Sequence, residues 1–324
     1  MAFLDKIFSY KVDNDIKHNI LTILGIKMRF QRPTPFEYYG DRRILSPIEG
    51  NKCLSDLIKS DKPFMATRFG KSELILLNYY MTHPDKENII FPEEKYRYIR
   101  DCSGFFLPDN ELLKKYCKKS TEIIANSDLI FTIWYQADEY NAIKYAPNAI
   151  LAHWLPIAAP LYNYEDPWVQ YLEGKKVLVI HPFEETIISQ HKRLDKIFPN
   201  SKLAPKFELT TLKTVQTLGE GYKNYNFKNW FEALEYMYQE IDKKDFDIAL
   251  VAGGAYSFFL ADYVKKIGRQ SINMCGATQL LFGIKGSRWD SMGIYNDYWV
   301  RAKKEDLPKG MDEYVKAKKN LAYW

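Results

Sequence analysis

Short apolar runs that alternate with longer amphipathic stretches constrain this chain more than any other feature. The runs "FMATRF" (Phe64 to Phe69), "DLIFTIW", "KKVLVIH", "FDIALVAGG" and "QSINMCGA" have the length and apolar character of buried strands. The segments between them read as helices. One runs from about Ser72 to Met81, one is "DNELLKKYCKKSTEIIANS", and one passes through Gln190 and Lys196. "NWFEALEYMYQEIDKK" has a clear 3.6-residue period, and "YSFFLADYVKKIG" ends at Gly268. Strand–helix–strand alternation requires parallel strands joined by crossover helices. The expected fold is therefore α/β: a Rossmann-like, mostly parallel sheet with helices on both faces. Ligands of such sheets bind beyond the C-terminal ends of the strands, so each strand end is a candidate site.

Length and composition agree with that frame. With 324 residues, 46% of them hydrophobic, the chain can bury a sizeable core. We expect residues 1–50 to form an N-terminal extension and connector, residues 51–300 the α/β domain, and residues 301–324 a helical segment packed on it. The formal charge of +5 suits an anionic small ligand and gives no reason to expect nucleic acid. Four cysteines without a CxxC pair argue against a disulfide scaffold or a zinc knuckle and fit a reducing cytoplasm. The first 20 residues are charged throughout, unlike a signal peptide. No stretch reaches the roughly 18 apolar residues of a membrane span. Residues Ile16 to Phe30 mix basic and apolar residues. They read either as an amphipathic element meeting the inner face of a membrane peripherally, or as a short helix and strand at the domain edge. "RPTPFEYYGDRR" reads as an extended connector.

Four stretches carry candidate chemistry. At the end of the first strand stand Arg68, Phe69, Gly70, Lys71, Ser72 and Glu73. An arginine fork, a lysine and the N-terminus of a helix there suit an anion. Ser72 and Glu73 also fit simple helix capping. "VLVIHPFEETI" places His181 at a strand end and Glu184 at the start of the next helix, where an acid equally suits the helix dipole. Gly253 and Gly254, followed by Tyr256, form a strand-to-helix turn that lets a phosphate approach the backbone. After the last strand, Gly276, Thr278, Gln279, Lys285, Arg288 and Trp289 crowd a polar, aromatic-edged loop, a composition suited to a phosphorylated sugar. Asp138 and Glu139 read as a solvated turn. Five scattered histidines give little support to a multi-histidine metal site, and neither GxSxG nor HExxH occurs.

Three of these stretches, "RFGKSEL", "PWVQYLEGKKVLVIHPFEETI" and "DIALVAGGAYSFFLADYVKKIGRQSINMCGATQLLFGIKGSRW", together resemble bacterial glycosyltransferases of the GT-D fold. The resemblance runs from about Pro63 to Trp289. It implies transfer of a sugar, hexosyltransferase-like, from a nucleotide-sugar donor such as a UDP-sugar. The acceptor would be a glycan or lipid-linked saccharide, in surface polysaccharide or glycoprotein assembly. The early motif of that family reads Arg-aromatic-Gly-Asp-x-Glu, and its acidic pair is associated with a divalent metal and the donor diphosphate. Here Lys71 replaces the aspartate while Glu73 keeps the glutamate. A single carboxylate is a poor site for Mn2+ or Mg2+, so the resemblance implies a metal role that this sequence undercuts. Lys71 and Arg68 are then expected to neutralise the leaving diphosphate. Glu73 would act as base or contact the donor sugar, with Glu184 and Asp290 in reserve, and His181 would orient acceptor or donor. Phe69, Gly70, Gly253, Gly254, Tyr256, Gly276, Thr278, Gln279, Lys285, Arg288 and Trp289 complete the expected nucleotide-sugar site. Two other classes remain open: a polysaccharide-modifying transferase with another activated donor, and a non-catalytic nucleotide- or sugar-binding relative. The oligomeric state is open too.

Overall fold

The computed structural model describes residues 8–12, 18–23, 26–31, 38–132, 137–161, 164–218 and 220–306. The chain divides into two units, Met1–Ile44 and Leu45–Trp324.

In the first unit, strands β1 (Phe8–Val12), β2 (His18–Ile23) and β3 (Ile26–Gln31) form an antiparallel meander, with Ile23 opposite Ile26 and His18 opposite Gln31. The helix-and-strand expectation for Ile16 to Phe30 therefore gives way to two paired strands. Isoleucine and threonine at β2 favour a pleated backbone, and the pairing decides where local charge does not. The expected connector also contains a hairpin, β4 (Tyr38–Tyr39) and β5 (Arg42–Leu45), turning at Gly40 with φ 63°.

The second unit opens with helix α1 (Pro47–Lys59). Ser46 and Glu49 cap it reciprocally, and a proline stands in its first turn. There follow β6 (Phe64–Arg68), α2 (Lys71–Thr82), α3 (Glu93–Ser103), α4 (Asn110–Ala125) and β7 (Leu129–Thr132). Next come α5 (Ala137–Ile143), β8 (Ile150–His153), α6 (Leu155–Ala158) and β9 (Lys176–His181). The expected helix through Gln190 and Lys196 is two helices, α7 (Glu184–His191) and α8 (Leu194–Ile197), separated at Lys192 and Arg193. The chain continues through β10 (Glu208–Lys213), α9 (Trp230–Asp242), β11 (Ile248–Val251), α10 (Ser257–Lys266) and β12 (Gln270–Asn273). Beyond β12 come tight 3-10 turns at Cys275–Phe282, Ser287–Met292 and Lys304–Asp306. Of the expected C-terminal helical segment, residues 307–324 lie outside the described residues.

Seven strands of this unit pair in parallel, in the order β10-β9-β11-β12-β6-β7-β8. The fold is α/β with a mostly parallel sheet, as the alternation requires. Both faces of the sheet are buried, which explains the uninterrupted apolar runs. Phe64, Ala66, Leu129, Phe131, Val177, Val179, Ile248, Leu250 and Ile272 join one core with Leu54 and Ile58 of α1 and Ile187 of α7. Their alternates Met65, Ile130, Leu178 and Ala249 are equally buried and point to the opposite face. Each large apolar side chain so buried contributes about 1.5–3 kcal/mol. On that second side Trp230 stacks on Tyr256, with centroids 4.6 Å apart and planes within 7°. No helix among the described residues is long and apolar enough to cross a membrane.

Candidate active site

Sheet order brings the candidate stretches together. The chain leaves β6 toward β7 and β8 on one side and returns on the other through β12, so the sheet has a switch point between β6 and β12. Four consecutive neighbours, β9, β11, β12 and β6, end in His181, the Gly253–Gly254 turn, Cys275 and Arg68 respectively.

The β6–α2 turn holds the acid. Glu73 stands in the first turn of α2, and its carboxylate lies over Gly70, where a Cβ would stand. A side chain at position 70 would displace the Glu73 carboxylate from this place. Ser72 Oγ donates to Glu73 Oε2 at 2.9 Å and also pairs with Ser103 Oγ at the end of α3. Lys71 is exposed at the head of the helix. Phe69 is in the core against Phe258, with centroids 6.0 Å apart. Across the switch point, buried Asn273 donates from Nδ2 to Thr67 Oγ1 at 3.0 Å and so ties β12 to β6. Asn273 Oδ1 in turn accepts from Cys275 Sγ at 3.3 Å. Cys275 has φ 51°, unusual for a residue with a side chain. Burial pushes its thiol pKa up, while the nearby Arg68 and Arg288 guanidinium groups oppose the rise. Arg68, Gly70, Glu73, Gly254, Asn273 and Cys275 line one small cavity of about 20 Å3.

Gly254 belongs both to that cavity and to a larger cleft of about 160 Å3 beside it. The cleft is walled by His181, Gly253, Tyr256, Gly276 and Gln279, by Ser103 and Gly104 of the α3 end, and by the loop from Thr214 to Leu218. His181 is 2% exposed, and its Nδ1 accepts the Phe183 N–H at 2.9 Å. That bond leaves the ring proton on Nε2. Burial lowers the imidazole pKa from 6.5 to about 3, so the ring is neutral at physiological pH. The Gly253 N–H donates to Ser257 Oγ at 2.6 Å, which satisfies one amide of the glycine turn internally. Gly254, with φ 57°, admits the Ser103 carbonyl to 2.6 Å from where a Cβ would be. The Tyr256 hydroxyl pairs with Thr217 Oγ1 at 3.2 Å, and burial raises its pKa.

The other predicted residues lie as follows. Thr278 is buried and donates to Cys275 O at 2.9 Å, and Gln279 Nε2 donates to the carbonyls of Ile284 and Lys285 at 3.2 and 3.1 Å. Lys285 sits 5.5 Å over the Tyr295 ring, and Arg288 is exposed. Trp289 is 6% exposed and pressed on Gly286, so its ring is part of the core. Asp290 pairs with Arg301 at 2.7 Å. Glu184 is half-buried at the head of α7, but that helix end is served by Asp306. The fully buried Asp306 carboxylate accepts the N–H groups of Glu185 and Thr186 at 2.9 and 3.0 Å, together with the Thr186 hydroxyl.

Among the described residues no group of three or more His, Cys, Asp or Glu side chains is placed to hold a metal ion. Glu73 supplies a single carboxylate, with a lysine two positions before it. That is a sparse donor set for Mn2+ or Mg2+, whose other oxygen ligands would have to come from water and the substrate's phosphates.

Neither a protein-family model nor a curated protein matches the chain. It is similar to two solved structures of the domain of unknown function 1792. One, selenomethionine-substituted, shares 14% identity at a TM-score of 0.44, over 79% of this chain and 84% of that one. The other, described as having a distinct glycosyltransferase fold, shares 13% identity at a TM-score of 0.43, with the same coverage of each chain.

Proposed function

We propose that the chain is a metal-independent glycosyltransferase that uses a nucleotide-sugar donor, with UDP as the nucleotide. The observation that carries this reading is the convergence of Arg68, Glu73 and Gly254 on one small cavity that adjoins the His181 cleft. Glycosyl transfer breaks the bond between the anomeric carbon and the diphosphate, and forms a bond from that carbon to an acceptor oxygen. Negative charge grows on the departing diphosphate, and preorganised cations lower the barrier by stabilising it. Arg68 and Lys71 supply that charge from the β6–α2 turn. Glu73 takes the proton of the acceptor hydroxyl. The neutral His181 ring offers its Nε2–H as a hydrogen-bond donor to the donor substrate. The acceptor is a glycan or lipid-linked saccharide of surface polysaccharide or glycoprotein assembly.

Calorimetric titration with UDP, UDP-glucose, UDP-galactose and UDP-N-acetylglucosamine, with and without manganese, tests the reading. UDP and one UDP-sugar are expected to bind without metal, and Lys71→Ala to weaken UDP by roughly tenfold, about 1.4 kcal/mol. Binding that strictly requires manganese would overturn the role of Lys71. Silence across the panel would overturn the UDP reading.

A further inference from the structure

A groove of about 460 Å3 runs along the junction of α2 and α3, outside the cleft described above. Ile75, Lys95, Arg97, Tyr98, Asp101 and Cys102 line it. Cys102 also lines the cleft, so the two spaces meet at that residue. Through Cys102 the groove therefore opens on the cleft, whose Gly254 also lines the small cavity that holds Glu73. Burial raises the Tyr98 phenol pKa.

Its chemistry is that of a carbohydrate subsite. A sugar ring has one face of C–H groups and a rim of hydroxyls. The half-buried ring of Tyr98 offers an apolar face with a polar tip, and Ile75 adds apolar surface. Arg97 and Asp101, four residues apart on α3, supply planar donors and acceptors for hydroxyls. Lys95 pairs with Glu94 at 3.9 Å and Asp101 with the neighbouring Arg100 at 2.9 Å, so most of the charge along the groove is balanced internally. That balance disfavours a polyanion and favours a neutral chain. Resting on the glycosyltransferase reading, we propose that the α2–α3 groove binds the saccharide part of the acceptor and feeds its terminal hydroxyl to Glu73.

Cys102 provides a reporter. It is exposed, whereas Cys117 is buried and Cys53 and Cys275 are partly so. A trifluoromethyl tag on Cys102 is followed by 19F NMR with UDP present, during titration with maltohexaose, chitohexaose and a galactose hexasaccharide. At least one oligosaccharide is expected to shift the resonance with saturation. Tyr98→Ala is expected to weaken that binding by tenfold or more. Arg97→Ala, at an exposed position, gives the same readout should Tyr98→Ala fail to fold. If UDP binds and no oligosaccharide moves the tag, the groove assignment fails while the transferase reading stands. Saccharide binding that both variants leave unchanged overturns it equally. If neither UDP nor a UDP-sugar binds, the underlying functional reading fails, and the acceptor assignment with it.

Discussion

His181 makes stability depend on pH in a window set by its burial. Its folded pKa is about 3, against 6.5 for the free side chain. The unfolded chain therefore takes up this proton first. The neutral-ring contribution is fully present above pH 6.5 and is lost progressively as pH falls toward 3, where the loss levels off. At pH 5 the solution lies about 1.5 units below the unfolded imidazole's pKa, and each unit is worth about 1.4 kcal/mol. The expected loss from this one residue is about 2 kcal/mol. His153 and His191 are also shifted down by burial, so the raw pH curve mixes three histidines. His181→Asn separates them, because the amide oxygen can still accept the Phe183 N–H bonded to Nδ1 in the native protein. Urea unfolding of both proteins at pH 7 and pH 5 gives the difference. The wild type should lose about 2 kcal/mol more than the variant over that interval. Parallel losses would refute the argument that His181 is held neutral.

Two glycines with left-handed backbones separate close approach from strain. Gly254→Ala meets the Ser103 carbonyl, whereas Gly268→Ala, with φ 82°, meets nothing within 4 Å. Both should lose about 1–2 kcal/mol to the backbone, and Gly254→Ala should lose at least about 1 kcal/mol more in urea unfolding and weaken UDP binding. Equal losses would refute the Ser103 contact. Asp306→Ala leaves two amides and a hydroxyl at the head of α7 without their acceptor. It should cost about 2–4 kcal/mol in the same assay, and Asp306→Asn clearly less. A neutral Asp306→Ala would remove the cap from the account.

What the sequence discloses depends on whether the informative contact is local. β9 is legible because Val177–Ile180 is buried on both faces and so is apolar without interruption. α9 is legible because one face packs and the other does not, which leaves a 3.6-residue period. β10 escapes the same reading. It lies at the sheet edge with only β9 beside it, and "ELTTLK" carries no continuous apolar run. β8, "ILAH", buries only Leu151 and Ala152, with Ile150 exposed and His153 partly so, and its apolar run is too brief to stand out. The candidate site divides along the same line. Arg68, Glu73, His181 and Gly254 advertise themselves, since each falls where an apolar run gives way to a turn and a helix. Ser103, Gly104, the Thr214–Thr217 loop and Asp306 do not, because their meaning lies in remote partners. Thr217 bonds to the Gly104 carbonyl across 113 residues, and Asp306 reaches Thr186 across 120. Asn273 is the instructive case. As a polar residue ending an apolar strand it reads as an ordinary terminus, yet it bonds to Thr67 across 206 residues. Sheet order creates that bond, by setting the last strand beside the first strand of the α/β unit. A candidate site at a switch point therefore shows its strand-end polar groups in sequence and conceals the residues that hold them in register.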